Sequence, residues 1–182
     1  LTRSKELGTT PYAAILSCVS HALCDLLELE RLVALVPFFS TPGTNEAPDV
    51  VGDFTDIGVV ELDDKEPTLL VHEANEELRR AQAHAARCTR IVLAELAIRR
   101  IVPHIVFTTV PGVRIVGAGD LTALGHLSYS RSQTPQVALD VQVEDFGEGF
   151  LVHWVYPEGL FDQFSLEECF EQFFDSCIEF GG

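Results

Sequence analysis

Basic side chains are scarce in this 182-residue chain: 12 lysines and arginines stand against 28 aspartates and glutamates, a formal net charge of −16. Nucleic acids and anionic membrane surfaces both need a positive face, so neither is an expected partner. No apolar run approaches the roughly 18 to 20 residues needed to cross a bilayer. The start of the chain, with Arg3, Lys5 and Glu6, lacks the unbroken apolar core of a secretory signal. A soluble, cytoplasmic protein is the expectation. The five cysteines, Cys18, Cys24, Cys88, Cys169 and Cys177, are odd in number, scattered, and set in apolar helix-like segments, with no Cys-x-x-Cys pair or His/Cys cluster. They read as buried free thiols of a reducing compartment, and no bound metal is expected. Also missing are an internal repeat, a Gly-rich phosphate loop ahead of a helix, a nucleophile elbow, and a Ser/His/Asp grouping at an informative spacing.

What remains is enough apolar sequence, 47% of residues, for one good core and one compact unit. Thr10-Pro11 offers a hydroxyl cap and a first-turn proline to a largely buried helix beginning at Tyr12, in which His21 reads as a core or rim histidine. Arg31 to Phe39 is a continuous apolar run, hence a buried strand, closed by the loop Thr41 to Pro48; a second strand is expected from Ile57 to Leu62. Glu66 to Ala86 has the spacing of an amphipathic helix starting at Pro67 and turning Leu69, Leu70, Leu78 and Ala81 inward. Thr89 is expected to cap a shorter helix ending at Arg100. Six of the twelve basic residues lie between Arg79 and Arg100, a pattern that reads first as a solvated, charge-laced face and second as an anion-contacting patch.

His104 to Thr109 reads as a short strand ending in two hydroxyls, which can merely cap backbone or can orient a reacting group where a strand end meets a cleft. Val113 to Gly125 is a glycine-rich loop, and Leu127 to Ser130 a further short strand. In the stretch Ser130 to Val143, polar and proline-bearing residues run into a strand whose apolar side chains alternate with Ala138, Asp140 and Gln142. One face is therefore expected to be apolar and the other to carry a carboxylate; such an aspartate is ordinarily solvated, and in an open hollow can be reactive. Gly147-Glu148-Gly149 turns Val137–Glu144 back onto Phe150–Tyr156 as an antiparallel hairpin. His153, within it, reads as a packed or solvated histidine that could face a cleft. Ser165-Leu-Glu-Glu reads as a capping box for a final helix from Leu166 to Glu179, burying Phe170, Phe173, Phe174 and Cys177. The order of elements gives an α/β fold, helices covering a mixed sheet.

Three motifs in one order resemble the later core motifs of heterocyclization domains from nonribosomal peptide synthetases. They are Gly52-Asp53-Phe54-Thr55, then Val106-Phe107-Thr108-Thr109, then Ser132-Gln133-Thr134-Pro135-Gln136-Val137-Ala138-Leu139-Asp140. Trp154-Val-Tyr-Pro-Glu-Gly-Leu-Phe-Asp and the helix after it resemble the way condensation-type domains end. The resemblance implies a chloramphenicol-acetyltransferase-like fold, with residues 1–182 as the C-terminal lobe of a two-lobed enzyme. It implies joining a carrier-bound acyl group to cysteine, serine or threonine, then cyclodehydration to a thiazoline or oxazoline. By position, Thr108 and Asp140 are the groups linked to cyclodehydration. Asp53 and Thr55 are expected to shape the cleft floor, and Gln133 and Gln136 to hydrogen-bond near the substrate. No cofactor is bound directly; the phosphopantetheine of partner carrier proteins delivers the substrates, and the basic face is one place an acidic carrier protein could meet. The family's early motif, two aspartates and a serine at fixed spacing, lies in an N-terminal lobe that is not among these residues, so the resemblance implies a complementary N-terminal lobe, or self-association through the exposed cleft face. Val141 stands where the family has histidine, and His104 where it has proline. Two functions follow: a heterocyclization lobe active once joined to its partner, or a condensation-type half-domain persisting as a structural or interaction module in a synthetase or hybrid polyketide assembly line. The first requires Thr108 and Asp140 to share one open hollow.

Overall fold

In chain order the elements are α1 (Thr2–Glu6), α2 (Pro11–Leu27), β1 (Arg31–Phe39), β2 (Thr55–Asp63), α3 (Pro67–Arg99), β3 (Ile105–Thr109), β4 (Leu139–Phe146), β5 (Gly149–Val155) and α4 (Gln163–Gly181). They come from a computed structural model that describes residues 2–39, 54–99, 104–109, 137–146 and 149–181. The loops expected at Thr41–Pro48 and Val113–Gly125, the strand at Leu127–Ser130, and Asp53, Gln133 and Gln136 lie outside the described residues. The five strands form one mixed sheet in the order β2-β1-β3-β4-β5. β3 runs parallel to β1 and to β4, and β5 returns antiparallel to β4, as the hairpin turn demands. The chain divides into two compact units.

The first unit consists of Leu1–Ala34, Val59–Ala83 and Tyr156–Gly182. Thr10 opens α2 by accepting the Ala13 amide on its hydroxyl at 3.2 Å, with Pro11 in the first turn where its missing N–H goes unneeded. The helix ends at Glu28, whose φ of 51° is left-handed and points its amide back at the last turn. α2 and α4 pack against each other within the unit, and both bury apolar side chains: Leu16, Val19 and Leu23 on α2, and Leu166, Cys169, Phe173 and Phe180 on α4. Gln172 donates to Asp25 at 2.9 Å, and the Cys169 thiol to the Ala22 carbonyl at 3.3 Å. Burial pushes Cys169 up to about 12 and Cys24 up to about 11, so both thiols are inert at neutral pH. Cys18 is raised too, first by its hydrogen bond with Cys177 and then by burial. His21 is a half-buried rim residue with Nδ1 3.3 Å from Asp64. Arg31 reaches Asp63 at 2.7 Å, and the Asp64 amide donates to the Glu30 carbonyl at 2.9 Å, so the start of β1 lies beside the end of β2 and the two run antiparallel.

Four expectations are corrected here. Leu69 is 72% exposed while Leu70, Val71 and Ala74 are buried, because adjacent helical residues differ by about 100° and Leu69 and Leu70 cannot both face inward. Phe174 is exposed beside buried Phe173 for the same reason, and Phe170 and Cys177 are only half-buried. α4 begins at Gln163 rather than Leu166, because Asp162 accepts both the Ser165 amide, at 2.9 Å, and the Ser165 hydroxyl, at 2.8 Å. That hydroxyl is thus consumed and the cap moves back by three residues.

The second unit, Leu35–Gly58 and His84–Val155, holds β3, β4, β5 and the neighbouring part of β1. Here α3 continues unbroken through Thr89, the fourth correction. Nothing between Ala86 and Thr89 is a helix breaker, and the Thr89 hydroxyl donates to the Ala85 carbonyl at 2.7 Å while accepting the Ile57 amide at 2.9 Å. The residue pins β2 to a helix interior instead of starting a helix. Most basic side chains between Arg79 and Arg100 lie outside those described; Arg80 pairs with Glu77. Among the described residues no helix is long and apolar enough to cross a membrane.

The Asp162 carboxyl is held below the usual carboxylate range, first by the Ser165 amide and then by its hydroxyl. A folded value below the unfolded one of about 3.9 means that the cap's contribution is complete above that pH and is lost as pH falls through the folded value. Asp162→Ala should therefore lower the melting temperature at neutral pH, and the gap from the unsubstituted protein should close in acid; thermal unfolding followed by circular dichroism over that range checks this.

Candidate functional site

The register of β3 against β4 begins at one carbonyl. His104 O accepts the amides of both Ala138 and Leu139 at 2.9 Å, and from there Ile105 pairs with Leu139, Val106 with Asp140, Phe107 with Val141, Thr108 with Gln142 and Thr109 with Val143. Paired residues share a face of the sheet and successive residues alternate. Phe107, Thr109, Leu139, Val141 and Val143 therefore fill one face, and all are buried. Val106, Thr108, Asp140 and Gln142 occupy the other, and the β5 pairing adds His153 opposite Gln142 and Val155 opposite Asp140.

On that second face the Thr108 hydroxyl donates to Asp140 Oδ1 at 2.9 Å, and Gln142 Nε2 donates to Oδ2 at 2.8 Å. Each carboxylate oxygen has a neutral donor, which fixes the plane of the group. Thr108, half-buried, has spent its only proton on Asp140, so its oxygen offers lone pairs to whatever approaches. The arrangement can pass a proton in either direction: Thr108 accepts one on its outer side as it releases another to Asp140.

Thr108 and Asp140 are thus brought together on one face, but the open hollow that the heterocyclization reading was expected to require is not found around them. The expected half-open strand, with its acid in an open hollow, is absent: β4 is buried on both faces from Leu139 to Val143, and Asp140 is 1% exposed. β4 has a strand on each side, and strands in such interior positions bury both faces. Only Thr108 of the pair touches solvent. The adjacent hydroxyl, Thr109, points into the apolar face and takes no part. Thr55 is half-buried at the start of β2, two strands or about 10 Å from β3, so it does not join the pair. Asp53, Gln133 and Gln136 lie outside the described residues. Gln142 was not anticipated as a site residue, although its signal was present: two positions beyond Asp140 on a strand means the same face. Among the described residues no three His, Cys, Asp or Glu side chains converge as a metal site would need.

Comparison with known proteins gives a consistent set of likenesses, although no protein-family model matches the chain. The chain is 30% identical over 167 residues to the phenyloxazoline synthase MbtB of Mycobacterium tuberculosis, an alignment covering 87% of this chain and 12% of that protein. It is 33% identical over 134 residues to the pyochelin synthetase PchF of Pseudomonas aeruginosa, covering 68% and 7% respectively. The chain therefore spans a small part of the length of the curated relatives it matches. Among solved structures, the nonribosomal peptide synthetase FmoA3 superposes with a TM-score of 0.83 at 26% identity, over 98% of this chain and 21% of that one. The cyclization-docking bidomain of EpoB from Sorangium cellulosum gives 0.81 at 24% identity, over 96% and 37%, a likeness of fold.

Gln142→Met removes the buried donor to Oδ2, a hydrogen bond to a charged group, which should lower stability by about 2 kcal/mol. Urea unfolding of the two proteins measures it; a loss within error of zero would show that the amide is dispensable to the carboxylate.

Proposed function

We propose that this chain, a condensation/heterocyclization-type domain of the nonribosomal peptide synthetase kind, supplies the proton-handling residues that close a cysteine, serine or threonine side chain onto a newly formed amide and expel water. The observation that carries this reading is the 2.9 Å hydrogen bond from Thr108 to Asp140 on the face opposite the apolar core of the sheet.

In the reaction so proposed, the substrate's side-chain thiol or hydroxyl attacks the amide carbon and the carbonyl π pair moves onto oxygen. The side-chain proton goes to Thr108 Oγ while the Thr108 proton goes to Asp140 Oδ1, and reversal of the relay places it on the new alkoxide. The amide N–H proton then follows the same route to the departing hydroxyl, the C–O bond breaks, and C=N forms. One water leaves, carrying both protons. Such general acid and base assistance is worth about 10² to 10⁴ in rate. Thr108, at the surface, is the contact with substrate; Asp140, behind it, is the proton store; Gln142 holds the carboxylate. Substrates arriving on the phosphopantetheine of carrier proteins, and a complementary N-terminal lobe or a second copy closing over the Thr108 face, belong to the same proposal. So do substrate contacts by Asp53, Thr55, Gln133 and Gln136.

The enclosure of Asp140 favours a second reading, in which the carboxylate is a structural tie and the domain a non-catalytic interaction module. One assay separates the two. The domain, joined to its complementary lobe and given loaded carrier proteins, is followed by mass spectrometry for amide formation and for loss of water. Asp140→Asn and Thr108→Val should each leave condensation in place and slow water loss by about 100-fold or more. Unchanged dehydration in Asp140→Asn would remove the relay and leave the structural reading.

A further inference from the structure

Among the described residues, one polar atom on the Thr108 face has no hydrogen-bond partner. His153 Nε2 is enclosed yet makes no hydrogen bond, although the imidazole as a whole is only half-buried. An unpaired buried nitrogen is destabilising, and native structures pair nearly all of them with protein, ordered water or a ligand. Its position is specific. Thr108 pairs with Gln142, and Gln142 with His153, so the three form one row across β3, β4 and β5. The neighbouring row is Val106, Asp140 and Val155, which places Asp140 between two valines and one step along β4. Gln142 bends along its own strand to reach Asp140, so its amide is committed in that direction. Thr108 and His153 therefore stand two inter-strand steps, about 10 Å, apart at the backbone, with their side chains on the same side of the sheet. Thr108 Oγ and an imidazole nitrogen can from such positions grip the two ends of one small group between them.

Resting on the heterocyclization reading, we propose that His153 is a further catalytic residue: its Nε2–H donates to the carbonyl oxygen of the condensed amide while Thr108 takes the proton of the attacking side chain. As the carbon becomes tetrahedral, charge gathers on that oxygen, and a donor already in place stabilises it without having to reorganise. The same hydrogen bond holds the hydroxyl that forms next until the relay from Asp140 turns it into water. The ligand class is thus a carrier-linked amide bearing a β-thiol or β-hydroxyl, read from its carbonyl end by β5 and from its nucleophile end by β3.

The test uses His153→Phe, which keeps the ring and removes the nitrogens, and His153→Gln, whose amide can place a donor near the lost Nε2. In the assembled domain with loaded carriers, His153→Phe should slow water loss by about 100-fold while condensation continues, and His153→Gln should recover most of the loss. The melting temperature of His153→Phe should equal or exceed that of the unsubstituted protein, since an unpaired polar atom has been replaced by carbon; a structural histidine would give a lower one. Asp140→Asn is the control. If it abolishes dehydration and His153→Phe does not change it, the heterocyclization reading stands and His153 has no part in it. If neither substitution changes dehydration, both fail. Independently of turnover, a pantetheine-linked amide of threonine should shift the ¹⁵N resonance of His153 Nε2, and an unmoved resonance at saturation overturns the assignment.

Discussion

A slip of one residue between β3 and β4 would carry Asp140 through the sheet to the side of Phe107 and Thr109, and bring Leu139 or Val141 round to Thr108. The threonine would then have nothing to donate to, and a charge would be buried among apolar side chains, an arrangement costing several kcal/mol. Two features guard against it. The paired amides of Ala138 and Leu139 on the His104 carbonyl fix where the ladder begins, and the unbroken apolar face from Leu139 to Val143 leaves no alternative register in which that face remains dry. Backbone and core together therefore place the two polar groups; neither has to hold the other in position.

This division of labour explains how a carboxylate survives at an interior position. Thr108, from a neighbouring strand, donates to one oxygen, and Gln142, from its own strand, donates to the other. Both are neutral dipoles, which orient the carboxylate without adding a charge of their own.

Much of the architecture could be read from residue order. β1 has the bounds expected from its apolar run, and the hairpin of β4 and β5 follows from the glycines at its turn. The Thr108 and Asp140 pairing was reachable from motif resemblance, because both lie in short strands where a motif fixes the face. What could not be read depended on partners distant in sequence. Thr89 looks like a cap until Ile57 supplies its amide; Ser165 looks like one until Asp162 takes its hydroxyl. The depth of Asp140 depends on β4 having strands on both sides, and alternation within a single strand carries no information about that. His153 was visible as a residue, but the row it shares with Thr108 and Gln142 exists only once three strands are aligned.

The register clamp has a consequence for how far this sequence can drift from its relatives. The group that His104 contributes is a main-chain oxygen, which every amino acid carries, proline included, so the side chain at that position is free to vary while the ladder starts in the same place. Val141, likewise, is fully sealed on the reverse of the sheet, where its task is volume. Both departures from the motif thus fall on positions whose described roles are a main-chain hydrogen bond and core packing.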